Sequence, residues 1–245
     1  MPTQTRAINA ARDALPPVPH NLLLPAASPA RAPQPHPDPS GLTTTTAARL
    51  IGVYAKPGDL VVDLHGTGIV AAAAATTGRR AVTVTSCRQQ DQQVRSTLEP
   101  LLPPIRRSCA TTQCATLTHT PWLLHNAPDS ASLILARVPQ PEQPWTLREA
   151  SRWLTACHTC LTPPGYLIAA LDPTDPNGDY VDHTTVTITA ARAAGFIYHQ
   201  HLINLTGPIP EPDGEQPPPP RIARGHAHRR IHTDLLVFAR GVPHA

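Results

Sequence analysis

The sequence is poor in aromatic residues, in lysine and in long apolar runs. Phe, Trp and Tyr together make up 4% of its 245 residues. A core must therefore be filled by Ala, Val, Leu and Ile, and a hydrophobic content of 40% suffices for one such core. Lys56 is the sole lysine, so nearly all positive charge is Arg. Together with the Ala, Pro and Thr bias, this reads as the codon usage of a GC-rich genome rather than a functional signature. No apolar run approaches the ~20 residues needed to span a bilayer. Asn21-Leu22-Leu23-Leu24 is too short and too Pro-flanked for a signal peptide. No membrane association is expected. A strong charge is also missing: the formal net charge is +3, which permits contact with nucleic acid without arguing for it. The five cysteines, an odd number scattered along the chain, suggest reduced thiols and a cytoplasmic protein.

Proline, by contrast, is abundant, with 31 residues concentrated before position 41 and around 208–220. Because Pro fixes φ and lacks a backbone donor, residues 1–41 read as an irregular, partly disordered arm, with at most a short helix near 3–14. A domain is expected over 42–241. Thr43 to Tyr54 reads as a helix with Ala47, Leu50, Ile51 and Tyr54 on one face, closed by the turn Lys56-Pro57-Gly58-Asp59. Strands are expected at Leu60–Leu64, Ala81–Thr85, Ile105–Ala110, Ser132–Ala136, Tyr166–Leu171, Phe196–Leu205 and Thr233–Ala239. Helices are expected at Ile69–Thr77, Gln89–Leu102, Leu147–Leu161 and His183–Ala194. Such alternation predicts parallel strands joined by helical crossovers, a doubly wound α/β sheet. The last two strands have no helix between them, only the Pro-, Arg- and His-rich stretch 206–231. They should pair as an antiparallel hairpin carrying a long insert, which is unusual inside a compact domain.

Three segments carry a family resemblance. Pro57-Gly58-Asp59-Leu60-Val61-Val62-Asp63, followed by Gly66-Thr67-Gly68, is a strand, an acid and a Gly-rich turn into a helix. Leu161-Thr162-Pro163-Pro164-Gly165-Tyr166-Leu167-Ile168 enters another strand. Ala193-Ala194-Gly195-Phe196 and then His232-Thr233-Asp234-Leu235-Leu236-Val237-Phe238 close the domain. In order and spacing these resemble S-adenosylmethionine-dependent methyltransferases, in particular the amino-methylating (N4-cytosine or N6-adenine) DNA methylases, over about 200 residues. The resemblance implies a Rossmann-like seven-stranded sheet with an antiparallel last strand. It implies S-adenosylmethionine as cofactor, held by Thr44, Asp63, His65, Gly66, Thr67, Gly68 and Thr85, and DNA as a candidate partner. Glycines let a backbone approach a ligand, and a following helix offers free N–H groups.

The sequence departs from that pattern in four places. Only Leu64 and His65 stand between Asp63 and the Gly-x-Gly, one residue fewer than is usual, and His65 replaces a small residue. Thr85 or Ser86 stands where an acid would grip ribose hydroxyls, without charge assistance. Gln113-Cys114-Ala115 supplies no acid near the adenine. The catalytic position after the fourth strand reads Arg137-Val138-Pro139-Gln140. Amino-methylating enzymes place Asp, Asn or Ser there, then Pro-Pro-aromatic, and Arg137 has donors only, so it cannot accept from an amine. Two readings stay open: a divergent methyltransferase, or a non-catalytic binding or regulatory protein of the same fold. A nucleotide-binding Rossmann protein is a third, disfavoured by the antiparallel close.

Other features have plainer readings. Cys157-His158-Thr159-Cys160 has the spacing of a redox pair or half a zinc site, but lies in an expected helix with no second such pair. Packed thiols and no metal site are expected. Arg221, Arg224, Arg229 and Arg230 with His226, His228 and His232 make a phosphate-gripping segment or a solvated loop. Asp172 and Asp175 could act as bases, but Asp-Pro pairs usually form turns. Oligomeric state is not legible.

Overall fold

A computed structural model of the chain describes residues 22–23, 42–116, 119–138, 145–171, 181–206 and 232–241. The expected helix near 3–14 and nearly all of the Pro-rich arm and the 206–231 insert lie outside these residues, as do Pro139, Gln140, Asp172 and Asp175. The strands are β1 (Leu22–Leu23), β2 (Leu60–Leu64), β3 (Arg80–Thr85), β4 (Ala110–Cys114), β5 (Ala131–Val138), β6 (Leu161–Leu171), β7 (Phe196–Leu205) and β8 (His232–Arg240). The helices are α1 (Thr44–Tyr54), α2 (Ile69–Thr76), α3 (Arg88–Leu101), α4 (Pro104–Arg107), α5 (Thr120–His125), α6 (Leu147–Cys160) and α7 (Thr184–Ala193).

One sheet contains all the strands, in the order β1-β7-β8-β6-β5-β2-β3-β4. Its centre, from β6 through β5, β2 and β3 to β4, is parallel. The expected hairpin is present: β8 runs antiparallel to β7, and also inserts antiparallel beside β6. Setting aside the two-residue β1, this is a seven-stranded sheet with its last strand antiparallel, flanked by helices, the doubly wound Rossmann-like arrangement of methyltransferases. β1, in a segment read as irregular, pairs parallel with β7 at the sheet edge.

Local chemistry accounts for most element ends. The Thr43 hydroxyl caps α1 by accepting the Thr46 N–H at 3.1 Å. After α1, the Lys56 N–H bonds the Asp59 carboxylate at 2.7 Å, and Gly58 takes φ of 87°, which closes the turn. The third strand corrects the sequence reading. Ile105 is 84% exposed in the short helix α4, because Pro104 is set for a first helical position and Pro103 before it ends α3. The strand begins at Ala110 and is mostly polar, as an edge strand can be.

Two cores lie on opposite faces of the sheet. One gathers α1, α2 and α3 over Val61, Ala81, Leu133 and Leu135, with the five alanines Ala71–Ala75 buried in α2. The other gathers α6 and α7 over Val62, Leu64, Ile134 and Ala136, with Trp145, Trp153, Phe196 and Phe238. Side-chain alternation in the buried parallel strands assigns the odd-numbered residues of β2 and β3 to the first face.

Candidate functional site

The strand sequence leaves β2 toward β3 and β4 on one side, and toward β5 and β6 on the other. In open α/β sheets, ligands bind beyond the carboxyl ends of the strands where that order reverses. Here that edge carries Asp63 to Gly68 at and beyond the end of β2, Thr85 and Ser86 at the end of β3, and Arg137 and Val138 at the end of β5.

Asp63 is wholly buried and organises the turn. Its Oδ1 accepts the backbone N–H of His65 at 2.9 Å and of Gly66 at 3.4 Å. Its Oδ2 accepts the Thr83 hydroxyl at 3.0 Å, from the residue paired with it on β3. Burial pushes the Asp63 carboxyl above the ordinary carboxylate range, opposed by the charge of His65 and by these hydrogen bonds. Asp63 thus shapes the loop from beneath. Gly66 and Gly68 follow with φ of 70° and 82°, the left-handed region that glycine enters without a Cβ clash. Gly68 then caps α2 with no side-chain hydrogen bond to the first-turn amides, beyond a 3.5 Å contact from the Ile69 N–H to the Thr67 hydroxyl.

The third side of the turn is α3. A Cβ on Gly68 would come within 3.3 Å of both the Val94 side chain and its carbonyl. A Cβ on Gly66 would overlap the Gln90 carboxamide. Gln90 bridges two strand ends: its Nε2 donates to the Gly66 carbonyl at 3.2 Å, and its Oε1 accepts the Ser86 N–H at 2.6 Å and hydroxyl at 2.9 Å. Sequence reasoning did not single out Gln90 or Thr83, and it named Ser86 only beside Thr85, as standing where an acid would grip ribose hydroxyls. Gln90 is one of four glutamines in Gln89-Gln90-Asp91-Gln92-Gln93, and only the fold selects it.

Of the residues singled out from sequence, Asp63, His65, Gly66, Thr67, Gly68 and Thr85 are brought together. Thr85 is wholly buried, on the same strand face as Thr83 by alternation, and its hydroxyl has no hydrogen-bond partner among the described residues. His65 is buried at the turn. Thr44 lies apart, in the first turn of α1, a helix that packs against α2. Arg137 follows Ala136, the partner of Leu64 across β2 and β5, and so sits beside the turn. Val138 is buried under the opposite face. An open hollow of about 390 Å³, lined by Pro121, Trp122, His125, Arg152, Thr155 and Ala156, lies over α5 and α6, away from the turn.

The Cys157 and Cys160 thiols are buried within the aromatic face. Burial raises both, Cys160 to about 11, so neither is activated as a thiolate. Cys109 packs on the other face and is separated from them by the sheet.

No family model matches the sequence, and no curated protein matches it. Solved structures do match. TrmN from Thermus thermophilus aligns with a TM-score of 0.53 and 16% identity over 82% of this chain, which spans 49% of that protein's length. The magnesium protoporphyrin IX methyltransferase of Synechocystis PCC 6803, with bound S-adenosylhomocysteine, aligns with a TM-score of 0.55 and 14% identity over 80% of each chain. A predicted O-methyltransferase from Agrobacterium tumefaciens gives 0.52 and 14% over 82% of each chain. At such identities the likeness is one of fold.

Proposed function

We propose that the chain binds S-adenosylmethionine at the turn after β2 and acts as a methyltransferase, with amino groups of DNA as its substrate class. The observation that carries the cofactor reading is the turn itself. A buried carboxylate holds two left-handed glycines at the mouth of a helix that has no side-chain cap, beside a buried hydroxyl without a partner. These groups suit the cofactor. The backbone of Gly66 to Gly68 and the first amides of α2 would face its polar end. The Thr85 hydroxyl would meet a ribose hydroxyl, and Asp63 would act through the loop it shapes. When bound, the cofactor supplies a methyl group on a positively charged sulfur. The bound structures of the Synechocystis enzyme, one with S-adenosylhomocysteine and one with S-adenosylmethionine, support this choice by analogy of fold. The substrate class rests on the segment resemblance at 193–196 and 232–238.

A second reading is favoured by one residue. Arg137 stands at the end of β5, where an amine would be held, and offers only donors. That suits a binding protein which keeps the fold without amine chemistry. Two measurements decide. Calorimetric titration with S-adenosylmethionine and S-adenosylhomocysteine should give micromolar binding, and tritiated methyl transfer to DNA should follow. Binding without transfer would leave the non-catalytic reading. No binding by the folded protein would overturn the cofactor assignment.

A further inference from the structure

Gln90 has no place in the resemblance, yet its side chain lies directly against the turn. Its carboxamide fills the space that the missing Cβ of Gly66 leaves open. Its two ends satisfy groups from different strand ends, the Gly66 carbonyl after β2 and the Ser86 N–H and hydroxyl after β3. Without Gln90 those groups would present one acceptor and two donors across the gap between two parallel strands. The Thr85 hydroxyl, buried and unpartnered among the described residues, stands one residue from Ser86.

We propose that Gln90 is an internal occupant of the ligand cradle, and that a ligand bearing adjacent hydroxyl groups, such as a ribose, enters by displacing its carboxamide. The inference rests on the cofactor reading above and adds a competitor within the same chain. The chemistry matches on each side. A hydroxyl both donates and accepts, so a vicinal diol can take over the bond to the Gly66 carbonyl and those to Ser86. The end of β3 carries no acid to draw the ribose in with charge-assisted bonds, so a neutral carboxamide is a matched competitor. Gln90 is half-buried on the first turn of α3, so its displacement asks for a side-chain rotation at a position that already reaches solvent. The closed arrangement lowers apparent affinity by the fraction of molecules that are open.

The test compares the parent chain with Gln90→Ala and Gln90→Ser by calorimetric titration with S-adenosylhomocysteine. Gln90→Ala removes the occupant. Gln90→Ser also removes the carboxamide, with a residue suited to the first turn of a helix, which keeps the test open should the alanine variant fold poorly. Both should bind at least about tenfold more tightly than the parent, consistent with an occupant that is mostly closed. In ¹⁵N-labelled parent protein, the Gln90 side-chain amide signal should shift toward that of a solvated glutamine as ligand is added. Equal affinities in all three proteins, with the amide signal unmoved, would overturn the proposal and leave the cofactor site intact. Weaker binding in Gln90→Ala would overturn it too, and would make Gln90 a ligand contact. No binding by any of the three folded proteins would remove the cofactor reading and this proposal together.

Discussion

The two faces of the sheet are filled by different means. Over β2 and β3 one face is packed by the alanines of α2 and by Val94 and Leu98 of α3. The other is packed by Trp145, Trp153, Phe196 and Phe238 with two buried thiols. Polar groups divide in the same way. On the aromatic face, the Trp145 indole N–H finds the Thr187 hydroxyl at 3.0 Å. On the alanine face, Asp63, Thr83 and Thr85 are buried together and the Thr85 hydroxyl is left over. Small side chains let α2 lie close on the sheet, and the loop between β2 and α2 is closed by backbone, glycine and one glutamine of α3. Large side chains on the other face fill volume and leave little polar work to do. One face is built to present main-chain groups, and the other supports it.

The largest effect should come from the supporting face. Phe238 is fully buried, with ring centroids 6.0 Å from Phe196 and 5.7 Å from Tyr198. Phe238→Ala should cost about 3–5 kcal/mol in urea unfolding. A loss below about 1 kcal/mol would deny that face its supporting role.

Next comes the carboxylate of the loop. Asp63→Ala leaves the amides of His65 and Gly66 without their acceptor and should cost about 2–3 kcal/mol. Asp63→Asn keeps an acceptor for both amides and a donor toward Thr83, and should stay within about 1 kcal/mol of the parent. The pH dependence has a definite sign. Because the folded-state value is raised above 3.8, the contribution of Asp63 to stability is greatest below that value and is lost as pH rises through the raised one. Unfolding of parent and Asp63→Asn at several pH values should therefore show the asparagine variant gaining on the parent as pH rises above 3.8. A gain that appears only on acidification would contradict the sign.

The smallest effect on stability should come from Thr85→Val. The shape is kept and an unsatisfied hydroxyl is removed, so unfolding free energy should be unchanged or higher by up to about 1 kcal/mol. Affinity for S-adenosylhomocysteine should nonetheless fall. Equal loss of stability and binding would mark Thr85 as purely structural.

How far the sequence revealed these two faces differs by element. Alternation of apolar runs with turn residues located the central strands and the antiparallel close, because strands buried on both faces read as continuous hydrophobic runs. β4 was misplaced, since an edge strand reading Ala-Thr-Thr-Gln-Cys carries no such run, while Ile105 beside Pro104 imitates one. The six-residue α5 passed unnoticed, too short to show a helical period. In the site, the Gly-x-Gly turn and its acid were legible from local order. The role of Asp63 beneath the loop was not, because it depends on Thr83 in another strand. Gln90 was beyond reach for the same reason: its partners lie at the ends of two strands, 24 and 4 residues away.

The central claim is that the alanine face carries the ligand site and the aromatic face does not. It is tested most directly by adding S-adenosylhomocysteine to ¹⁵N-labelled protein and following the backbone amide signals. Shifts concentrated at residues 65–69 and 85–86, with α6 and β8 unmoved, are the predicted result. Signals at the turn that stay fixed, or that move only together with those of α5 and α6 around the surface hollow, would contradict it.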